Sequence, residues 1–202
     1  MDKRRAGSGS RGLGSLKWLQ IQPWAAVVIF KPAELPGAYV IEPERHEDVR
    51  GYFARTFCEK DFSGRGLETR IAQCSVSFSH KKGTLRGMHY QLSPFEEVKL
   101  VRCDRGAIYD VIIDLRRESP TFKKYFAVHL DAQNGKMLYV PAGFAHGFQT
   151  LEDNTEVFYQ MSQVYSAEHA RGVRWNDPAF GIRWPEDQRT ILERDQNYPD
   201  FA

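Results

Sequence analysis

Short segments rich in apolar, β-branched and aromatic residues follow one another from Gly37 onward, and Gly, Pro, Asn or Asp residues separate them. Long stretches with helical periodicity are scarce. Strands are predicted at 38–43, 51–58, 71–79, 84–91, 97–104, 106–115, 122–131, 136–141, 144–151 and 155–165, with helical segments only near 59–65 and 186–195. Many short strands at regular spacing predict an all-β sandwich or a small barrel.

The start of the chain has a different composition. Residues 1–16 are rich in Gly, Ser and Arg, which is typical of a flexible linker. The 202 residues carry a net charge of +2, and residues 1–17 alone hold five basic residues against one acidic residue. The remainder is therefore close to neutral, which disfavours a nucleic-acid-binding surface. We predict a flexible basic extension over 1–29 and one folded domain over 30–202.

The number and spacing of the cysteines and the length of the apolar runs indicate the cellular compartment of the protein. The three cysteines, Cys58, Cys74 and Cys103, are odd in number and lack a C-x-x-C spacing. This pattern disfavours a disulfide scaffold or a zinc finger and favours free thiols in a reducing cytoplasm. No apolar run reaches the roughly 18–20 residues of a membrane-spanning helix, so no membrane partner is predicted. Dinucleotide-binding, phosphate-loop and zinc-protease motifs are also missing from the sequence.

Strand alternation points to a polar interior. It places Lys99 on the same strand face as Val101 and Cys103. A lysine on the same face as apolar residues is unusual for a hydrophobic core and would fit a barrel interior that holds a polar ligand. A metal-binding jelly roll would place two histidines one residue apart, but His89 is followed at that spacing by Gln91. No metal site is therefore predicted.

Eight short motifs follow one another between about Phe30 and Asp195. They are Glu42-Pro43, Asp48-Val-Arg-Gly-Tyr-Phe53, Gly83-Thr-Leu-Arg-Gly-Met-His-Tyr-Gln91, Lys99-Leu-Val-Arg-Cys103, Ser119-Pro-Thr-Phe122, Pro141-Ala-Gly-Phe-Ala-His-Gly-Phe148, Arg174-Trp-Asn-Asp-Pro178 and Trp184-Pro185. Each is weak alone, but in this order they resemble the dTDP-4-dehydrorhamnose 3,5-epimerase family. The resemblance implies a cupin-like jelly roll (a double-stranded β-helix) with short peripheral helices. It also implies a homodimer that needs neither metal nor cofactor and acts in deoxysugar (dTDP-rhamnose) biosynthesis.

The resemblance further implies a substrate and a set of catalytic residues. The substrate would be a nucleotide diphosphate carrying a 4-keto-6-deoxy sugar, inverted at C3 and C5 on either side of the ketone. A C–H bond beside a ketone ionises at neutral pH only if a base takes the proton while a cation or donor holds the enolate oxygen. His89 matches the family's base and Asp195 its carboxylate partner. Tyr159 matches the proton donor on the other face, and Lys99 matches the cation near the C4 oxygen.

Binding residues carry over from the same resemblance. They are Arg50, Gln73, Ser75 and Arg86 toward the diphosphate or nucleotide, His146 toward the sugar, Tyr165 for stacking on thymine, and Arg194 beside Asp195. Strict alternation would turn Arg86 away from His89 unless Gly87 bends the strand. The chain departs from residues common in relatives at Arg55, Ser75 and Arg171, which leaves the exact nucleotide and sugar open.

Three alternatives stay open at this point. The enzyme could invert C3 alone, or it could be a related sugar-nucleotide isomerase that moves the ketone along the ring. It could also be a non-enzymatic sugar-binding jelly roll. The presence of both His89 and Tyr159 disfavours the isomerase that moves the ketone. The further presence of Lys99 and Asp195 disfavours the non-enzymatic jelly roll. The sequence therefore predicts a cytoplasmic isomerase whose partners are a nucleotide sugar and a second copy of the chain.

Overall fold

The computed structural model describes residues 28–201, which form fourteen β-strands and two short helices. The strands are β1 (Val28–Pro32), β2 (Tyr39–Pro43), β3 (Arg45–Asp48), β4 (Gly51–Ala54), β5 (Gln73–Ser79), β6 (Thr84–Gln91), β7 (Lys99–Arg105), β8 (Ala107–Asp114), β9 (Tyr125–Asp131), β10 (Met137–Val140), β11 (Phe144–Thr150), β12 (Thr155–Met161), β13 (Ala170–Gly172) and β14 (Thr190–Ile191). The helices are α1 (Glu59–Ser63) and α2 (Glu193–Gln196). Neither of these helices has the length and hydropathy to cross a membrane.

Two sheets lie face to face. The first has the strand order β1-β2-β10-β7-β12-β5, and the second has the order β13-β6-β11-β8-β9. All pairings along these two paths are antiparallel, and β14 adds to β6 in parallel. β3 and β4 form a separate hairpin. This arrangement confirms the predicted all-β, cupin-like jelly roll with short peripheral helices.

The main core fills the space between the sheets. Val101, Leu138 and Val157 project from the first sheet, while Ile112 and Phe148 project from the second, and all five are at most 1% exposed. Each such side chain contributes roughly 1.5–3 kcal/mol through removal from water. A cavity opens beside this core, and Phe148 contributes to both.

Further packing covers the outer faces of both sheets. Phe62 of α1 packs on Tyr139 of the first sheet, with ring centroids 6.0 Å apart. On the second sheet, Phe180 packs with Met88 and Val111. Most residues of β8 and every residue of β11 are buried. Strands buried on both faces read as nearly continuous apolar runs, which explains why these two segments lack clean alternation.

Some predicted boundaries are wrong. β1 includes Val28 and Ile29, which the sequence analysis assigned to the flexible extension; the rest of that segment, residues 1–27, lies outside the described residues. Val28 is 1% exposed and pairs with Pro43 of β2, so a distant partner makes this stretch a strand. The helix predicted over 186–195 is limited to α2, because residues 190–191 instead pair with β6. Tertiary pairing outweighs local propensity in both places.

Candidate active site

A cavity of about 690 Å³ opens between the two sheets where β5, β6, β7, β11 and β12 meet. This volume lies within the range of roughly 300–1,000 Å³ that is typical of small-molecule sites. Ten of the eleven predicted site residues line it: Gln73, Ser75, Arg86, His89, Lys99, His146, Tyr159, Tyr165, Arg194 and Asp195. Residues separated by more than a hundred positions in the chain thus meet in one place.

A bend in β6 brings Arg86 and His89 to the same cavity. Gly87 lies between them with φ at +120°, and the pairing of β6 with β11 shifts register at Gly147. A Cβ atom at position 87 would lie 2.6 Å from the Gly147 Cα, so a side chain at position 87 would prevent this close approach. The irregularity breaks the strict alternation of β6, as bulges do beside many active sites.

His89 and Asp195 form a hydrogen-bonded pair. The His89 Nε2 lies 2.9 Å from the Asp195 Oδ1, and the Gly87 amide donates to the Asp195 Oδ2 at 3.1 Å. Asp195 reaches this position because α2 follows directly after β14, which pairs with β6. When Nε2 donates its proton to the carboxylate, the lone pair of the imidazole lies on Nδ1 and can accept another proton.

The ionisation of Asp195 suits this arrangement. Burial by itself acts to raise its pKa, but the hydrogen bond and charge of His89, the Gly87 amide and Arg194 outweigh burial. The net result is a pKa below the usual value for an aspartate. The carboxyl group is therefore ionised at neutral pH, and it can stabilise an imidazolium cation that forms when His89 takes up a proton.

Lys99 lines the cavity beside a carboxylate, Glu97, that is not among the predicted site residues. Its Nζ donates to the Glu97 Oε1 at 2.9 Å, and the two side chains are only 9% and 11% exposed. The same Nζ lies 3.5 Å from the backbone oxygen of His89. The cation and the imidazole therefore belong to one cluster. The Glu-x-Lys spacing on one strand face was the signal that could have identified Glu97.

Tyr159 projects into the cavity from the first sheet, whereas His89 projects from the second. The Tyr159 hydroxyl lies 3.3 Å from the Ser77 Oγ. Burial raises the pKa of the Tyr159 phenol, and this effect exceeds the opposing effect of the Ser77 hydrogen bond. The phenol is thus protonated at neutral pH. An imidazole and a protonated phenol on opposite walls can serve the two faces of a molecule bound between them.

A second histidine is paired with a second carboxylate. His146 is the cross-strand neighbour of His89, and its Nε2 lies 2.7 Å from the Asp110 Oδ1. These two side chains are 5% and 0% exposed, and within residues 28–201 the Asp110 Oδ2 has no hydrogen-bond partner. Asp110 is not among the predicted site residues. A carboxylate within the apolar stretch 108–113 was the available signal, because buried carboxylates are rare unless paired.

Charge around the cavity favours an anion. Its lining includes four basic side chains, Arg86, Lys99, Arg171 and Arg194, and two acidic ones, Glu97 and Asp195, a net of two positive charges without the histidines. Arginine is well suited to phosphate because its planar fork donates several hydrogen bonds. Tyr165 lies at the mouth and is 64% exposed, and its amide donates to the Gln73 Oε1 at 2.6 Å.

Arg50 is the one predicted site residue that the structure does not bring to this cavity. It lies in the tight turn between β3 and β4, and its side chain is 80% exposed. Its guanidinium donates to both carboxylate oxygens of Asp48: the Nε lies 3.1 Å from Oδ1 and 3.2 Å from Oδ2, and the NH2 nitrogen lies 2.5 Å from Oδ2. Within one chain, Arg50 therefore makes a local ion pair and does not line the cavity.

Comparison with known sequences identifies the family of the chain. A sequence profile described as dTDP-4-dehydrorhamnose 3,5-epimerase matches residues 32–202. The chain belongs to the dTDP-4-dehydrorhamnose 3,5-epimerase family. It is 44% identical over 174 residues to the dTDP-4-dehydrorhamnose 3,5-epimerase of Sinorhizobium fredii, a match that covers 86% of this chain and 89% of that protein. The chain is accordingly an isomerase of this family.

Solved structures in the epimerase family have the same fold. The crystal structure of dTDP-4-dehydrorhamnose 3,5-epimerase from Bacillus anthracis with TDP and PPi bound superposes with a TM-score of 0.84 at 39% identity, over 87% of this chain and all of that chain (100%). ChmJ, a 3'-monoepimerase from Streptomyces bikiniensis in complex with dTDP-quinovose, gives a TM-score of 0.78 at 36% identity, over 84% and 86% of the two chains. The family thus includes enzymes described as acting at two carbons and at one.

Proposed function

We propose that the protein inverts C3 and C5 of dTDP-4-dehydro-6-deoxyglucose and so produces dTDP-4-dehydrorhamnose. The observation that carries this proposal is the placement of the His89–Asp195 pair and the protonated Tyr159 on opposite walls of one cavity, with Lys99 beside them. The TDP in the Bacillus anthracis relative supports thymidine as the nucleoside.

Substrate binding follows from the charges and rings of the cavity. The net of two positive charges in its lining balances the two negative charges of a diphosphate. Arg86 and Arg194 bind the phosphate oxygens, and the exposed ring of Tyr165 stacks on the base at the mouth. Gln73 and Ser75 supply polar contacts to the nucleotide, and His146 bonds a sugar hydroxyl. This leaves the ketone near Lys99 and the reacting carbons between His89 and Tyr159.

The first half of the reaction is removal of a proton from carbon. Nδ1 of His89 takes the proton from the carbon beside the ketone, and the electron pair of the broken C–H bond forms the enolate. The new imidazolium is stabilised by the ionised Asp195. The Lys99 ammonium holds the enolate oxygen at C4. An ammonium in a site of low dielectric stabilises such charge by several kcal/mol, in order of magnitude.

The second half returns a proton to the opposite face. Tyr159 gives its phenolic proton to the same carbon, the enolate collapses to the ketone, and the configuration at that carbon is inverted. Solvent then takes the proton from His89 and restores the proton on Tyr159. Repetition at the carbon on the other side of the ketone requires the sugar ring to turn over within the cavity.

A C3-only epimerase is the second candidate, favoured by the similarity to ChmJ, a 3'-monoepimerase. The same acid and base would serve one carbon instead of two. Proton NMR of dTDP-4-keto-6-deoxyglucose in D₂O separates the two candidates. Exchange at C3 and C5 supports the double epimerase, exchange at C3 alone supports the second candidate, and exchange at neither carbon contradicts both.

The roles of the residues are tested by substitution. His89→Ala should abolish exchange, because no other group holds the position of the base, while calorimetry should detect dTDP binding close to that of the wild type. His129→Ala is the matched control, because His129 is an exposed residue of β9 outside the cavity. Full activity of His89→Ala would contradict the mechanism.

We also propose that the protein acts as a homodimer. The β3–β4 hairpin exposes large apolar side chains, with Val49, Tyr52 and Phe53 at 105%, 56% and 52% exposure. β5 is an edge strand, and its outer face exposes Val76 at 56%. A second copy that covers these surfaces would remove apolar area from water and protect the open edge. The hairpin would then carry Arg50 toward the cavity of the neighbouring subunit.

A further inference from the structure

The segment 197–201 follows α2, and it contributes one residue to the cavity wall that the reaction proposed above does not use. Tyr198 is half-buried and lines the cavity. Its ring centroid lies 6.3 Å from that of the His89 imidazole, with an angle of 75° between the ring planes. This is the edge-to-face geometry that aromatic pairs prefer.

A missing side chain makes room for this ring. Gly172 of β13 is the direct cross-strand partner of His89 on β6. A Cβ atom at position 172 would lie 2.1 Å from the Cζ of Tyr198, a distance that no pair of non-bonded carbon atoms tolerates. Glycine at position 172 thus leaves a slot beside the imidazole, and the ring of Tyr198 fills that slot.

The segment that carries Tyr198 is fixed on both sides. Upstream, Asp195 of α2 is bonded to His89 and to the Gly87 amide. Downstream, the Phe201 amide donates to the Oδ2 of Asp177, which is 2% exposed, at 2.6 Å. The Phe201 ring also packs against Phe180 with centroids 5.3 Å apart. Tyr198 therefore lies on a segment held at two points.

We propose that Tyr198 is a positioning residue for His89, and that its ring, seated on Gly172, holds the imidazole in the orientation that keeps Nε2 on Asp195. This rests on the proposed function, in which His89 is the base. Loss of the ring would let the imidazole tilt into the vacated slot. A displacement of about 1 Å at a catalytic group lowers the rate on the order of a hundredfold.

The hydroxyl of Tyr198 is not required for this role. Burial raises its pKa, so the phenol is neutral beside Arg194 and Asp195 and adds no charge to the pair. Within residues 28–201, the Tyr198 hydroxyl makes no hydrogen bond. Tyr198→Phe should therefore retain the activity of the wild type, because it keeps the ring and removes only the oxygen.

The first experiment compares Tyr198→Ala, Tyr198→Phe and the control Asn197→Ala, a change of an exposed neighbour. For Tyr198→Ala we expect kcat for deuterium exchange to fall on the order of ten- to a hundredfold, with KM and dTDP affinity nearly unchanged. Tyr198→Phe should restore kcat. Wild-type kcat in Tyr198→Ala would overturn the proposal, and so would an equal loss in Tyr198→Phe, which would assign the role to the hydroxyl.

The second experiment uses the slot itself. Gly172→Ala pushes the Tyr198 ring away and should lower kcat in the otherwise wild-type chain. The three atoms nearest to the added methyl group all belong to the Tyr198 ring, so in the Tyr198→Ala background Gly172→Ala should cause little further loss. Such non-additivity is the signature of a direct contact. Independent, additive losses would contradict the proposal. Thermal unfolding verifies that each variant is folded, and Tyr198→Leu replaces Tyr198→Ala if the alanine variant is not.

A third measurement needs no substrate. The NMR signals of the His89 ring protons should move in Tyr198→Ala, which removes the neighbouring ring current, and should stay in place in Tyr198→Phe. Absence of exchange by the wild type would refute the proposed function, while these signals would still test the contact. Exchange by the wild type together with unshifted His89 signals in Tyr198→Ala would refute only the positioning role.

Discussion

Two imidazoles, His89 and His146, lie opposite each other on β6 and β11, and each is bonded to a carboxylate that is almost unexposed. The two pairs differ in access to the cavity. The His89 side chain is 35% exposed, whereas that of His146 is 5% exposed. A base must reach its substrate and pass its proton to solvent, so the more open imidazole suits that task, and the more enclosed one suits fixed hydrogen bonding.

Replacement of Tyr159 by Phe should separate proton removal from inversion. His89 can still take the proton from carbon in this variant and return it, or a solvent deuteron, to the same face. Without the phenol, no group gives a proton to the other face. We expect deuterium in recovered dTDP-4-keto-6-deoxyglucose of unchanged configuration, measured by NMR, and almost no epimerised product. Normal yields of epimerised product from Tyr159→Phe would contradict the assignment of the donor.

The Glu97–Lys99 pair gives another residue-level prediction. Glu97→Ala should lower kcat on the order of ten- to a hundredfold, because Lys99 loses the partner that fixes its ammonium near the ketone. Glu97→Gln retains a hydrogen-bond acceptor and should lose much less. Glu96→Gln is the matched control, since Glu96 is the exposed neighbour in the chain. Steady-state kinetics give kcat for the three variants. Equal losses of kcat in Glu97→Gln and Glu97→Ala would show that the charge of Glu97 matters and not its hydrogen bond to Lys99.

Residue type and motif order could identify some site residues but not others. His89 and Lys99 stand in motifs that the sequence displays, and Tyr159 follows from the family resemblance. All three carry chemistry that the proposed reaction needs. Tyr198, in contrast, meets His89 only in three dimensions. Tyr198 reaches the cavity only because a glycine 26 positions earlier leaves a slot, and no local pattern records such a contact.

At the scale of elements, the motif Ser119-Pro-Thr-Phe122 has a structural role. The Ser119 and Thr121 hydroxyls donate to the Asp114 Oδ2 at 2.5 and 2.7 Å, and the Arg116 Nε donates to its Oδ1 at 2.9 Å. Asp114 ends β8, so these bonds fold the connection to β9 back onto the sheet. None of these residues lines the cavity.

Asp114 should make folding stability depend on acid pH. Burial acts to raise its pKa, but the bonds from Arg116, Ser119 and Thr121 lower it from 3.8 to about 2. A lowered pKa gives stabilisation that is complete above about pH 4 and is lost as pH falls toward about 2. The shift corresponds to about 2 kcal/mol.

Urea unfolding measures this effect. Asp114→Asn should be less stable than the wild type by at least about 2 kcal/mol at pH 7, and the difference should narrow between about pH 4 and pH 2. Asp187→Asn, at a side chain that is fully exposed, should change stability little at any pH. If the free energies of unfolding of Asp114→Asn and the wild type differed by the same amount across this pH range, the expected link between the ionisation of Asp114 and stability would be contradicted.

Elements also differ in how far sequence could predict them. β5 to β12 were predicted within a few residues, because each combines apolar residues with Gly, Pro, Asn or Asp at its ends. β3, β13 and β14 are two to four residues long and were missed. So short a segment carries no pattern of its own, and its pairing partner decides its conformation.

At the scale of the whole molecule, the exposed hairpin and edge strand predict association. Light scattering should give the mass of two chains. Arg50→Ala should raise KM for the nucleotide sugar by removing a charge that only a dimer brings to a cavity, and it should leave the dimer mass unchanged. A fully active species with the mass of one chain would contradict both expectations. Arg50→Lys, which keeps the charge, is the matched comparison.

The separation of His89 and Asp195 in the chain has a kinetic consequence. The hydrogen bond between them joins residues 106 positions apart, and the sheet around His89 also depends on β11 and β13. Closing such long loops has an entropic cost before the contacts form, so folds of this kind fold slowly, on the order of milliseconds to seconds. A contiguous fragment must span at least residues 89–195 to contain both members of the pair. During refolding, catalytic competence should therefore return only with the whole native topology, and enzymatic rate becomes a direct reporter of complete folding.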